Sequence, residues 1–197
     1  TNLSGFPKKL LDQFTSVGIN IILKDITSDL QIPTIAAVSD DVTLKDPKLL
    51  TIGMGTHTNP EMAVIRALTE VAQSRATQIH GAREDTTIAA FREMMGYERV
   101  KRMNNYWFKV TEKKDYSNII GQSSNDFKID ILNIIDKLKT NGLNHVLVAN
   151  ITDCSINIPV VRVIVPGLEC YSIDSERRGD RCIHAEYCHI HRTKSTT

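Results

Sequence analysis

Apolar positions along this chain recur with two periods, and each period names an element. Leu10, Leu11, Phe14 and Val17 mark one helix face over residues 7–17, and Gly18 stands where a helix C-terminus favours glycine. Residues 19–26 are β-branched and mostly apolar, the pattern of a central strand covered on both faces. Thr27-Ser28-Asp29 predict a turn, and Pro33 opens a second strand over 34–38, ended by Asp40 and Asp41. A third strand over 49–52 leads into a predicted glycine turn at Gly53 and Gly55. The strongest helix follows over 60–78. Asn59 is its N-cap, Pro60 fits its first position and Glu61 lies in its first turn, while Val64, Ala67, Leu68, Val71 and Ala72 form a buried stripe.

Beyond it, residues 87–95 read as a short helix stopped by Gly96, and residues 97–122 as an irregular excursion anchored to the core by Tyr106, Trp107 and Phe108. A capped helix is predicted over 127–140, closed by Asn141-Gly142, and strands over 145–151 and 160–165. A repeat emerges: helix, glycine, strand, Ile-Thr, polar turn, Ile-Pro, strand. Gly18 matches Gly142, Thr27 matches Thr152, and Pro33 matches Pro159. Two copies exclude a solenoid and predict an α+β fold in α/β layers. Its mixed or antiparallel sheets pack with helices, and two similar helix–strand–strand modules share a pseudo-twofold relation. The short Ile-Pro connections favour antiparallel strand neighbours, because parallel pairs need longer crossovers.

Composition narrows the function classes. In 197 residues, 24 Lys and Arg balance 23 Asp and Glu, so no basic face argues for nucleic acid. No apolar run is long enough to span a bilayer and no signal peptide is evident, so a cytoplasmic protein is expected. Cys170, Cys182 and Cys188 gather near the end with His184, His189 and His191, and Cys154 stands apart. Their spacings match no CxxC-type metal pair, so reduced thiols in a partly exposed tail are preferred over a zinc or iron–sulfur site.

The chemistry is concentrated on the strongest helix. Arg66, Glu70, Gln73 and Thr77 fall three or four apart on a side away from the apolar stripe, where a carboxylate and an amide could face one ligand. Spacing alone favours the plainer alternative, an Arg66–Glu70 ion pair on a solvated face. Gly53 and Gly55 could let backbone N–H groups approach a phosphate, but a tight turn is the simpler reading.

Three blocks change this balance. GINIILKDITSDLQIPTIAAVSDD, IGMGTHTNPEMAVIRALTEVAQSRATQIHGARED and VVRVIVPGLE occur in that order within residues 10–181. Together they resemble the YcaO superfamily, in particular its stand-alone members associated with peptide thioamidation in methanogens. The resemblance implies an ATP-using enzyme acting on a peptide backbone amide. A nucleophile attacks the amide carbon, the amide oxygen is phosphorylated, and phosphate leaves to give an azoline or a thioamide. Magnesium ions held by acidic helix residues would neutralise the triphosphate. Carried onto this chain, the family's metal and nucleotide motif falls on Glu70 and Gln73, with Arg75 and Arg83 as bases for ATP phosphates. For Arg83 the alternative is a surface ion pair with Glu84 or Asp85. A further acid of some relatives falls on Met62, beside Glu61, and no catalytic residue is assigned.

The same resemblance implies that residues 1–181 are the C-terminal half of a YcaO-type domain and 182–197 a tail. The other half, with its own acidic ligands behind a glycine-lysine-glycine lead-in, is absent, so a fragment, cleaved product or part of a split protein is expected. The chain ends HRTKSTT rather than in the proline-rich tail of azoline-forming members, which favours a thioamide. The implied product is thioglycine in the methyl-coenzyme M reductase α subunit, formed with sulfide. The implied partners are that peptide or protein substrate, a TfuA-like protein and the N-terminal half of the YcaO domain, with a homodimer left open and neither nucleic acid nor membrane involved. The alternatives are an azoline-forming cyclodehydratase and a non-catalytic substrate-docking or scaffold module.

Overall fold

Helix α1 (Gly5–Ser16) is capped by Val17, and the chain leaves it through Gly18 at φ +78°, a left-handed conformation that glycine adopts easily. It leads into β1 (Ile19–Asp25), β2 (Thr34–Asp41) and β3 (Ile52–Thr56), an antiparallel sheet in the order β1-β2-β3. The structure, a computed structural model, describes residues 2–81, 87–110, 113–168 and 179–184, the side chains of 87–89 excepted. The chain forms two units, residues 1–131 and 132–197.

In the first unit, β2 rather than β1 is the central strand. It is buried along its length, whereas β1 is an edge strand with partly exposed side chains. Apolar composition alone cannot separate a central strand from an edge strand whose single covered face is apolar. β2 also runs on through Asp40 and Asp41, which the sequence pattern took as its end, because both carboxylates find partners inside the fold. The core on one face joins Ile35 and Ala37 of β2 to Ala63, Val64, Ala67, Leu68 and Val71 of helix α2 (Pro60–His80), with Leu10, Leu11 and Phe14 of α1 packed against it. Ala63 takes the place expected of Ala72, which is exposed. Asn59 caps α2 through Oδ1, accepting from the Glu61 N–H at 2.8 Å, and Gly81 closes it at φ +62°.

Helices α3 (Thr87–Met95), α4 (Tyr97–Met103) and α5 (Asn105–Phe108) follow. The anchor of this segment matches expectation in part: Phe108 packs against the core and Trp107 is half-buried, but the centre of the contact lies elsewhere. Tyr97 and Val100 are buried with Leu50, whereas Tyr106 is 73% exposed. The Tyr97 hydroxyl donates to Asp40, and Lys101 Nζ donates to the same carboxylate at 2.6 Å. A buried polar tip with a committed acceptor explains why Tyr97, not Tyr106, goes inside.

Helix α6 (Phe127–Thr140) ends in a Schellman arrangement at Gly142, φ +79°, with the Leu143 N–H donating to the Leu138 carbonyl at 2.9 Å. In the second unit, β4 (Leu147–Asn150) and β5 (Val161–Ile164) form an antiparallel two-stranded sheet. The predicted antiparallel pairing thus holds in both sheets.

Candidate functional site

The glycines at 53 and 55 lie inside β3, not in a turn before α2. A Cβ on Gly53 would stand 2.3 Å from the Ala67 carbonyl oxygen and 2.6 Å from the Val71 nitrogen. On Gly55 it would stand 2.1 Å from the Ala63 oxygen and 2.7 Å from the Ala67 nitrogen. Both are buried, and their role is to bring the helix backbone down onto the strand, which corrects both the tight-turn and the phosphate-loop expectations.

This close approach builds the site. β3 is the outer strand of its sheet, and the Met54 N–H donates to Glu70 Oε2 of α2 at 2.8 Å. A charge-assisted bond to backbone holds the carboxylate at the outer edge of β3, unpaired among the described residues, while leaving the residue exposed. The Arg66–Glu70 ion pair favoured by spacing is not formed among the described residues, because Glu70 reaches to the strand instead. Gln73, one turn further, is exposed beside it, and Thr77 Oγ1 donates to the Gln73 carbonyl at 2.9 Å.

Arg75 lies five residues beyond Glu70, about 140° round the helix, and belongs to the buried side. Its Nη2 donates to Asp41 Oδ2 at 2.7 Å and its Nη1 to the Leu49 carbonyl at 3.2 Å. Burial alone would raise the Asp41 carboxyl, but the Leu44 N–H, the Arg75 guanidinium and the Thr43 N–H outweigh it and hold the group below its ordinary value. The structure therefore brings Glu70 and Gln73 together and sets Arg75 on the opposite side of the helix, where it ties α2 to the end of β2. Arg83, with Glu84 and Asp85, lies outside the described residues. Met62 and Glu61 stand near the helix start, roughly 12–14 Å along the axis from Glu70.

A cavity of about 290 Å³ is lined by Ser74 and Gln78 of the same helix, by Ile52 and Phe108, and by Arg92 and Asn104. Arg92 has no distinctive spacing in the sequence. It reaches this cavity only because α3 packs against the 3-10 turn Pro47–Leu49.

Of the cysteine and histidine tail, Cys182 is half-buried and His184 is exposed, while Cys170, Cys188, His189 and His191 lie outside the described residues. Among the described residues, no three His, Cys, Asp or Glu side chains are placed to share a metal. Magnesium needs no such cage. It takes one or two carboxylates and completes its shell with substrate phosphates and water. An anchored, exposed carboxylate with a neighbouring amide fits part of that shell.

Residues 6–169 match the family described as YcaO cyclodehydratase, ATP- and Mg2+-binding. The chain belongs to the YcaO family. An uncharacterised protein of Methanothermobacter thermautotrophicus is 50% identical over 173 residues, covering 87% of this chain and 45% of the relative. An uncharacterised protein in a tfuA 3′ region of Rhizobium leguminosarum bv. trifolii is 31% identical over 175 residues, covering 81% and 39%. The fold is similar to that of YcaO from Methanopyrus kandleri bound with AMPPCP and Mg2+, with a TM-score of 0.74 and 25% identity over 91% of this chain and 47% of that one. It is also similar to the heterocyclase TruD, with a TM-score of 0.66 and 25% identity over 86% and 23%. The chain spans less than half the length of each of these relatives and structures. No helix among the described residues is long and apolar enough to cross a membrane.

Proposed function

We propose that this chain is the C-terminal half of an ATP- and Mg2+-dependent YcaO enzyme that converts a peptide backbone amide to a thioamide. Sulfide adds to the amide carbon, the former carbonyl oxygen takes the γ-phosphoryl group, and phosphate departs with that oxygen, leaving ADP and a C=S bond. An amide oxygen is a poor leaving group, and phosphorylation makes it a good one. The observation that carries this reading is the Glu70 carboxylate, fixed by the Met54 N–H at the outer edge of β3 with Gln73 one turn on. Glu70 and Gln73 would hold magnesium and, through it, the nucleotide. Arg83 would face the phosphates, while Arg75, committed to Asp41, would position α2.

The substrate we infer is a glycine of the methyl-coenzyme M reductase α subunit, with the cytoplasm as the setting. Relatives in Methanothermobacter thermautotrophicus and Methanopyrus kandleri support that assignment, and the relative in a tfuA 3′ region supports a TfuA-like partner. Similarity to TruD and to a heterocyclase in complex with substrate and cofactor favours azoline formation as the second reading.

The test uses the full-length protein. Glu70→Ala is expected to abolish magnesium-dependent nucleotide binding and hydrolysis, with the exposed Lys9→Ala as control. Unchanged binding and hydrolysis in Glu70→Ala would remove the site. Mass spectrometry of the peptide product separates the two chemistries, since a thioamide exchanges oxygen for sulfur and an azoline loses water.

A further inference from the structure

The two helix–strand–strand modules agree in geometry down to single hydrogen bonds. Asp25 Oδ1 accepts from the Thr27 N–H at 3.0 Å, and Asn150 Oδ1 accepts from the Thr152 N–H at 3.0 Å. Thr27 Oγ1 accepts from the Thr34 N–H at 3.1 Å, and Thr152 Oγ1 from the Val160 N–H at 3.0 Å. Gln31 and Asn157, each two residues before the module's proline, take φ +52° and +54°. The strand registers correspond pair for pair. Ile22↔Val38, Leu23↔Ala37, Lys24↔Ala36 and Asp25↔Ile35 in the first sheet match Leu147↔Ile164, Val148↔Val163, Ala149↔Arg162 and Asn150↔Val161 in the second.

The modules part company in what covers them. Ile35 and Ala37 are 2% and 0% exposed, because β3 pairs with β2 and α2 lies over that face. Their counterparts Val161 and Val163 are 60% and 56% exposed, and every residue of β4 and β5 faces solvent. Among the described residues, β5 also keeps a free edge. An unpaired strand edge beside an exposed valine face is a surface that soluble proteins cover.

We propose that β5 is completed by a strand–helix element of the same build as β3–α2, supplied by the half of the YcaO domain outside this chain. Its strand would pair antiparallel with β5 and place small residues opposite Val161 and Val163, as Gly55 and Gly53 lie opposite Ile35 and Ala37. Its helix would lay an apolar stripe over Val148, Val161 and Val163. A second copy of this chain is a poor occupant. Its own β3–α2 is already engaged with β2, and pairing two β5 edges would leave the valine faces wet. The relatives have the necessary length, since the aligned region is 45% and 47% of two of them. The inference rests on the reading that this chain works with the other half of its domain.

Hydrogen–deuterium exchange on the full-length protein tests it. The amides of Val161 and Val163, which alternate with those that face β4, are expected to exchange on the order of a hundredfold more slowly than unstructured amides, like those of β2. Val163→Asp is expected to remove that protection, whereas Val17→Asp, at another exposed valine, leaves it intact. Fast exchange at Val161 and Val163 in the unaltered protein would overturn the proposal. So would protection that disappears when the protein is diluted to a monomer, because the cover would then be a second copy. Glu70→Ala should leave β5 protection unchanged, so failure of the nucleotide site is read separately.

Discussion

Gly53→Ala is the sharpest test of how the fold builds its site. The added methyl would stand 2.3 Å from the Ala67 oxygen and 2.6 Å from the Val71 nitrogen, both backbone atoms of a buried helix face that cannot rotate away. Restoring van der Waals separation requires α2 to retreat by about 1 Å from β3, given that carbon contacts settle near 3.5 Å. Overpacking of this kind costs about 1–3 kcal/mol. Because the backbone of Gly53 is an ordinary strand conformation, Ala would otherwise gain about 0.4–1 kcal/mol from a less flexible unfolded chain. The expected net change therefore runs from about zero to a loss of about 2.6 kcal/mol, or a melting temperature lower by up to roughly 10 °C for a domain of this size. The same retreat stretches the 2.8 Å bond between Met54 and Glu70 beyond hydrogen-bonding range, so magnesium-dependent nucleotide binding should weaken with stability. Thermal unfolding and nucleotide titration of the full-length variant read the two effects together. Gly81→Ala is the comparison. Its Cβ meets nothing within 4 Å, so it should cost only the left-handed backbone penalty of about 1–2 kcal/mol and leave nucleotide binding alone. A stabilising Gly53→Ala, or a neutral one that leaves nucleotide binding unchanged, would refute the close-packing account.

Arg75→Ala strips the partner from a buried carboxylate and should destabilise by about 3–5 kcal/mol, measured by urea unfolding, with Asp41→Asn in the same background recovering part of the loss. Asp41 is held below its ordinary carboxylate value in the fold, so its contribution is present above the unfolded pKa of about 3.9 and disappears as pH falls through the lower folded value. Acid unfolding should therefore become shallower in an Arg75→Met variant. Lys101 is raised by its bond to Asp40, and Tyr97 is raised by burial and by the same carboxylate. Their contribution is complete below the unfolded values of about 10 and is lost as pH rises through the folded ones, so alkaline unfolding of a variant carrying both Lys101→Met and Tyr97→Phe should begin from lower stability and vary less with pH. Gln73→Glu, which adds a second carboxylate beside Glu70, should lower the magnesium concentration needed for nucleotide binding in the full-length protein, as read by isothermal titration; a higher requirement would place Gln73 outside the metal shell.

Local periodicity carried much of the helical fold. The helices starting at Pro60 and Phe127 follow from a cap, a stripe and a stop signal, all within one element. The duplicated module was also legible, because its turn depends on Thr27 and Thr152 bonding to backbone only seven or eight residues away. The site was legible in part. Glu70 and Gln73 share a helix side by spacing, but spacing could not tell an ion pair to Arg66 from a bond to a strand sixteen residues upstream.

Contacts between elements left no such mark in the sequence. Gly53 and Gly55 look like turn residues until α2 is laid across them, and Arg75 looks like a phosphate ligand until Asp41 is seen at the end of β2. β1 and β2 share an apolar pattern, yet one is an edge and the other is central because β3 joins only β2. The physical reason is common to all three. Hydrogen bonds within a helix or turn act over a few residues and leave a mark in the local pattern, whereas packing joins distant segments and depends on which of several compatible faces meet.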